Sequence, residues 1–140
     1  MPFYTSQGFA TAVYTAFDVV WADLTPVAYP NVEFKPELLN SWARLSILGN
    51  GESVTRRSGS TNPMILTVEG DLLIQCFVRQ NLDVDQAYVM VERAQSFLQR
   101  YRVSGVQWLN MRSPEEIGPD GPWWQVAIRT GWRYFQSRAY

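Results

Sequence analysis

Few residues of this 140-residue chain could carry out chemistry. Histidine is absent, which removes the commonest general base and the commonest zinc ligand. The single cysteine, Cys76, has no partner for a disulfide and no histidine to activate it, and its setting in LLIQCFV reads as that of a small buried hydrophobe. Gly49 and Gly51 lack the third glycine and following helix of a dinucleotide fingerprint, and no Gly-Lys-Ser or Gly-Lys-Thr phosphate loop occurs. Asp83 and Asp85 fall at the start of an expected helix, where acids suit the helix dipole without a metal. Glu115, Glu116 and Asp120 offer oxygens to a divalent cation, but their spacing matches no calcium loop and a solvated turn accounts for them. The reading is of a protein that is not an enzyme and needs neither cofactor nor metal.

Arginine and tryptophan are the remaining side chains with recognition chemistry. Every positive side chain except Lys35 is an arginine, a residue enriched at protein interfaces where lysine is depleted. Acids stop at Asp120, and beyond it stand Arg129, Arg133 and Arg138. The first part of the chain leans acidic, with Asp18, Asp23, Glu33, Glu37 and Glu52 against Lys35 and Arg44. Opposite poles suit head-to-tail contacts between copies, and a solvated surface of mixed sign explains them equally. Arg56 and Arg57 lie in a polar stretch, GNGESVTRRSGSTNP, residues 49–63, far longer than the two to five residues of an ordinary hairpin loop. Trp108, Trp123, Trp124 and Trp132 could stack nucleobases, but a net charge of −1 gives no general affinity for nucleic acid, and aromatic strands more often build a core or an interface.

These residues need elements to position them. A hydrophobic fraction of 46% with 18% charged residues belongs to a folded chain, and the length fits a single domain, 1–140. No lysine or arginine precedes the first apolar residues, and Asp18 and Asp23 interrupt that region, so neither a leader nor a membrane span is expected. Phe9, Val13, Phe17, Val20 and Leu24 recur at helical spacing behind a Thr5 or Ser6 cap, and Thr25-Pro26 should end that helix. Residues 27–32 read as a short edge segment between prolines. NSWARLSIL, residues 40–48, alternates Ala43, Leu45 and Ile47 against Trp42, Arg44 and Ser46, as in a strand with one buried face. MILTVEGDLLIQCFV, residues 64–78, should be a second strand with a bulge or bend at Gly70, making residues 49–63 the tip of an extended hairpin. A second helix is capped by Asp83 and Gln86 and buries Ala87, Met90, Val91, Ala94, Leu98 and Tyr101. Strands at 106–112 and 123–135 flank a loop at 113–122 with turn chemistry around Pro119, Asp120 and Gly121. This order indicates an α+β domain: a mainly antiparallel sheet, two helices packed on one side, and a long hairpin loop.

Taken together, the N-terminal helix followed by VAYPNVEFKP, the strand SWARLSIL, the run GDLLIQCFV, the second helix and IGPDGPWWQVAI resemble the tail terminator-like proteins of long-tailed phages, also called tail completion or minor tail protein U-like. The match covers nearly the whole chain in order, and departs from the family at the first half of PEEIGPDGP. The resemblance implies a structural virion protein. Such a protein forms a homo-oligomeric, hexameric ring at the head-proximal end of the tail tube, stops tube polymerisation, and joins tail to neck or connector proteins. DNA would be met only as it passes through the lumen, and no membrane is involved; assembly would take place in the host cytoplasm. In that setting Arg56 and Arg57 are candidates for an assembly loop, ordered against a neighbouring subunit or the tube. Arg129, Arg133, Arg138 and Trp132 are candidates for the subunit interface. The residues leave open a tail tube subunit, a head–tail joining protein, and, from another class, a small nucleic-acid-binding module.

Overall fold

A computed structural model of the chain describes residues 5–21, 24–30, 32–56, 64–82, 84–100, 103 and 105–138. The two helices are α1 (Ser6–Trp21) and α2 (Asp85–Arg100). The strands are β1 (Val27–Ala28), β2 (Ser41–Arg56), β3 (Met64–Arg79), β4 (Gln107–Leu109), β5 (Glu115–Asp120) and β6 (Trp123–Arg138). They form one sheet of order β1-β2-β3-β6-β4, with β5 also paired to β6. All neighbours run antiparallel except β1 and β2. The α+β architecture expected from the sequence is the one observed.

Helix α1 starts where a side chain can satisfy a free backbone N–H: the Thr5 hydroxyl accepts from Gly8 N–H at 3.0 Å. It ends at Trp21, earlier than Thr25-Pro26 suggests, and α2 covers that end. The Arg93 guanidinium donates to the carbonyls of Val20 and Trp21 at 3.1 and 3.3 Å, placing a cation at the negative pole of α1. Phe9, Val13, Phe17 and Trp21 form the buried stripe of α1; Ala87, Met90, Val91, Ala94, Phe97 and Leu98 form that of α2. Asp83 and Tyr101, assigned above to the cap and the stripe of α2, lie outside the described residues.

The sheet departs from expectation in four places, each with a local cause. Residues 49–56 are not loop: β2 runs on to Arg56, paired with Ile65, because bulges between Gly49 and Gly51 and between Val54 and Arg56 absorb one residue each and keep the ladder going. The hairpin connection is therefore much shorter than 49–63, and residues 57–63 lie outside the described residues. The expected loop at 113–122 contains β5, which folds back on β6 through a two-residue turn, since Asp120 pairs with Trp123. Gly121 has φ +58° and Pro122 can only take negative φ, the combination of a type II′ hairpin. Gly118, at φ +93°, forms the bulge that lets Pro119 sit in an edge strand. The strand expected at 106–112 shortens to β4, ended by Asn110 at φ 50°.

The fourth departure is Gly70. It lies within an unbroken β3, and the bulge falls on the facing strand. Its reason is Trp132, directly opposite on β6. A Cβ at Gly70 would collide with the Leu48 carbonyl oxygen and with the Trp132 ring, lying 2.8 Å from Cε2. The missing side chain makes room for the indole to lie across β3, where it meets Phe9 at 4.5 Å and Tyr134 at 5.6 Å between ring centroids.

Strand alternation assigns the remaining side chains. Ala43, Leu45, Leu72, Ile74, Cys76, Val78, Val126 and Ile128 turn toward the helices and form the main core. The opposite face is not wholly solvated. Trp42, Phe77 and Trp123 are buried there in a second cluster with Ala28, where Trp42 stacks on Phe77 at 4.1 Å. Arg79 closes this cluster: its guanidinium lies 4.7 Å from the Trp123 ring centre and donates to the carbonyls of Glu37 at 2.6 Å and Leu39 at 2.8 Å. This pins residues 36–40 against the sheet.

Two stability tests follow. Gly70→Ala should cost about 3 kcal/mol, because both obstacles lie in packed backbone and core. That corresponds to a fall of roughly 10 °C in a thermal melt. Gly49→Ala, where a Cβ meets nothing within 4 Å, should melt close to the wild type. Arg79→Ala should cost about 2 kcal/mol through its charge-assisted bonds to two carbonyls. Arg79→Lys should recover only part, since a single ammonium cannot reproduce the planar fork over Trp123.

Candidate assembly surface

The face of the sheet away from the helices is where the long strands present polar side chains beyond the Trp42 cluster. Odd-numbered residues of β6 lie on it, so Arg129 and Arg133 share one side. Four residues of strand separate them, about 13 Å. Arg129 is half-exposed and reaches Asp71 of β3 at 3.9 Å. Arg133 donates from Nε and Nη2 to Gln107 Oε1 at 3.0 and 2.5 Å. Each arginine is held on one side by its own chain, and among the described residues these partners do not use all five of its donors. Between β3, β5 and β6 the same face holds a concavity of about 420 Å³, lined by Leu73, Gln75, Arg112, Glu115, Gln125 and Arg129 among others. The Arg112 N–H donates to the Arg129 carbonyl at 3.0 Å and fixes the rim.

Trp132 corrects the sequence reading. It was expected at a subunit contact, but it is 3% exposed and belongs to the core beside Phe9 and Tyr134. It stands between Gly131 and Arg133, and one step along a strand turns a side chain to the other face. Arg138 ends β6 opposite Met64. Arg56 ends β2 opposite Ile65, within a strand and not at a loop tip. Arg57 lies outside the described residues. Of the sequence-selected arginines, the structure thus brings Arg129 and Arg133 together on one face.

The other groups singled out above fall into structural roles. Cys76 is fully buried, and burial pushes its thiol up to about 12, so it remains a protonated hydrophobe at neutral pH. Trp123 is buried in the second cluster, while Trp108 and Trp124 pack against the main core, so the described residues present no row of free indole faces for stacking bases. Glu115 and Glu116 are adjacent in β5 and diverge. Glu115 lines the concavity, whereas Glu116 accepts a hydrogen bond from the Tyr88 hydroxyl of α2, a contact that raises the Tyr88 pKa. Among the described residues no three His, Cys, Asp or Glu side chains converge as metal ligands. No described helix is long and apolar enough to cross a membrane.

Arg79, Arg93 and Arg44 were missed as structural residues. The available signal was Trp42, Phe77 and Trp123, three large aromatics out of phase with the main apolar alternation. They mark a second apolar site that arginines could cover. Arg44 lies 5.4 Å from Trp42 and 5.3 Å from Phe77.

No protein-family profile and no curated protein matches the sequence. Among solved structures, the chain is similar to a protein known only by a serial designation. The TM-score is 0.59 at 14% identity, with 94% of this chain and 96% of the other covered. At that identity the likeness concerns the fold, and it extends over essentially the whole of both chains.

Proposed function

We propose that this chain is a structural subunit of a phage virion that forms a ring at the head-proximal end of a long tail, ends tube polymerisation and joins the tail to the neck. The observation that carries the reading is the sheet face opposite the helices, which carries Arg129 and Arg133 and a concavity of mixed polar and apolar lining with Arg129 in its wall. A ring subunit needs a surface that meets a different surface of its neighbour, and arginine forks held at a fixed spacing suit carboxylates and carbonyls on such a partner. The resemblance of the sequence to the tail terminator-like proteins supports the same reading, and arginines on an open sheet face are chemistry that an assembly protein can use. The partners are further copies of the chain, the tail tube protein and the neck proteins, with DNA passing through the lumen.

The test is the double variant Arg129→Glu, Arg133→Glu. Both side chains are partly solvated, and exposed pairs of this kind contribute about 1 kcal/mol or less, so the monomer should remain folded with a melting temperature near that of the wild type. Self-association should weaken, and the variant should fail to complement a terminator-defective phage. Normal infectious particles from the folded double variant would remove these arginines from the assembly surface. The nucleic-acid alternative separates by salt: loss of a bound oligonucleotide between low and moderate salt would favour it, whereas a ring contact should persist.

A further inference from the structure

The concavity between β3, β5 and β6 holds polar groups that the fold does not use. Register places its floor: Leu73 faces Arg129, Gln75 faces Ala127 and Phe77 faces Gln125, while Glu115 of β5 flanks Ala127 from the other side. Gln125 is 6% exposed, and its side-chain amide has no hydrogen-bond partner among the described residues. Buried amides are nearly always bonded, and one left without a partner is destabilised by its full desolvation. Trp123 and Phe77 belong to the aromatic cluster on the same face, so Gln125 lies between that cluster and the concavity it lines. The direction left for a partner is into the concavity.

Charge is unbalanced in the same place. Among the lining residues Arg112 and Arg129 are positive and Glu115 is negative. The Arg112 N–H bonds to the Arg129 carbonyl, so the two arginine side chains start from adjoining backbone. Asp71 holds one side of Arg129 at 3.9 Å, and Arg112 has no ion pair among the described residues. Leu73, Ile117 and Ala127 add apolar surface. A carboxylate suits guanidinium forks, and a glutamine amide, both donor and acceptor, matches the N–H and C=O of a peptide group. The volume of about 420 Å³ falls within the range of roughly 300–1,000 Å³ typical of ligand sites.

We propose that this concavity is a socket for an extended acidic segment of a second protein: Arg112 and Arg129 receive a carboxylate of the segment, and the amides of Gln75 and Gln125 bond to the main chain beside it. The proposal rests on the assembly reading above for where such a partner is met, and it names the chemistry that the partner presents. A protein other than a further copy is favoured by the placement of this chain's own acids. Among the described residues they lie on helices and paired strands, or at Glu33 and Glu37 in the stretch that Arg79 holds against the sheet. Solvent in the concavity serves the Gln125 amide in the free protein, and a peptide group that reproduces those bonds can displace it. Glu115 repels an acid on its side of the socket and so turns the incoming carboxylate toward the arginines.

The probe is a synthetic peptide, acetyl-Ala-Glu-Ala-Glu-Ala-amide, titrated into isotopically labelled full-length protein and followed by NMR. It should move the side-chain amide signals of Gln75 and Gln125 and the Nε–H signals of Arg112 and Arg129 along one saturating curve. The neutral peptide with glutamine in place of glutamate should bind roughly tenfold more weakly. Sodium acetate at the same carboxylate concentration should leave the two glutamine signals in place. Arg112→Gln should weaken binding of the acidic peptide roughly tenfold. Gln125→Leu breaks no internal hydrogen bond, so it should melt close to the wild type while weakening binding by a similar factor.

No binding of the acidic peptide, equal binding of the acidic and neutral peptides, or unweakened binding by both variants would overturn the proposal and leave the ring reading standing. A Gln125→Leu melt far below the wild type would show an internal role for the amide and would overturn it as well. If the peptide takes apart a self-assembled wild type, the socket belongs to a further copy and the assignment to a second protein is wrong. A wild type that binds the peptide as described yet stays monomeric at every concentration, with and without the tail tube protein, would support the socket and overturn the ring reading.

Discussion

The crossing of Trp132 over Gly70 holds the layers together. Three 16-residue strands lie side by side here, and a large ring can cross the middle one only where that strand has no side chain. Once seated, the indole gives Phe9 a surface to pack on, and Phe9 also stacks on Tyr134 at 4.4 Å. That fixes the first turns of α1. Farther along the helix Phe17 meets Phe97 of α2 edge to face at 5.4 Å, so the second helix is positioned through the first. On the other side of Gly70 the Leu48 carbonyl takes the remaining space, which ties the approach of β2 to the same vacancy. A side chain at this position would press on a neighbouring strand and on the helix layer at once.

Placing both helices on one face divides the arginines by role. Arg93 is drawn inward to the end of α1, and Arg79 closes the small aromatic cluster while holding the chain between β1 and β2. Each spends its donors on carbonyls of its own chain and acts as a brace. Arg129 and Arg133 project from the face opposite the helices, and among the described residues Asp71 orients the first and Gln107 the second without using the full fork. A guanidinium has five N–H donors, so one partner aims the group and leaves capacity for a second. Preorganised arginines of this sort lose less freedom on meeting another surface than free ones would.

The groups that might have suggested catalysis are taken up by the fold. The thiol of Cys76 faces the helix layer and stays protonated. The indoles are spent on packing, and the paired glutamates diverge because they are neighbours in a strand. Among the described residues, the face opposite the helices keeps polar side chains accessible beyond the Trp42 cluster.

The sequence by itself determined the class of the fold and most of the elements. The 3.6-residue recurrence of Phe9, Val13 and Phe17 can be satisfied only by a helix with a buried stripe, and the alternation of Ala43, Leu45 and Ile47 only by a strand with a buried face. The want of histidine and of phosphate loops was equally plain from composition. Tertiary structure alone decided the matters that depend on which strand lies beside which. Gly70 reads locally as a bulge and is a seat for Trp132, because the residue that needs the space is 62 positions away and meets it only through the β3–β6 register. Residues 49–56 and 115–120 read as loop because glycine, proline and polar residues are turn formers taken alone, yet a neighbouring strand supplies hydrogen-bond partners that propensity cannot count, and bulges accommodate the misfits. Trp132 and Arg133, adjacent in the chain and both taken for interface residues, are assigned to core and surface by the same rule. A strand has two faces, and only the packing of the helices says which one is covered.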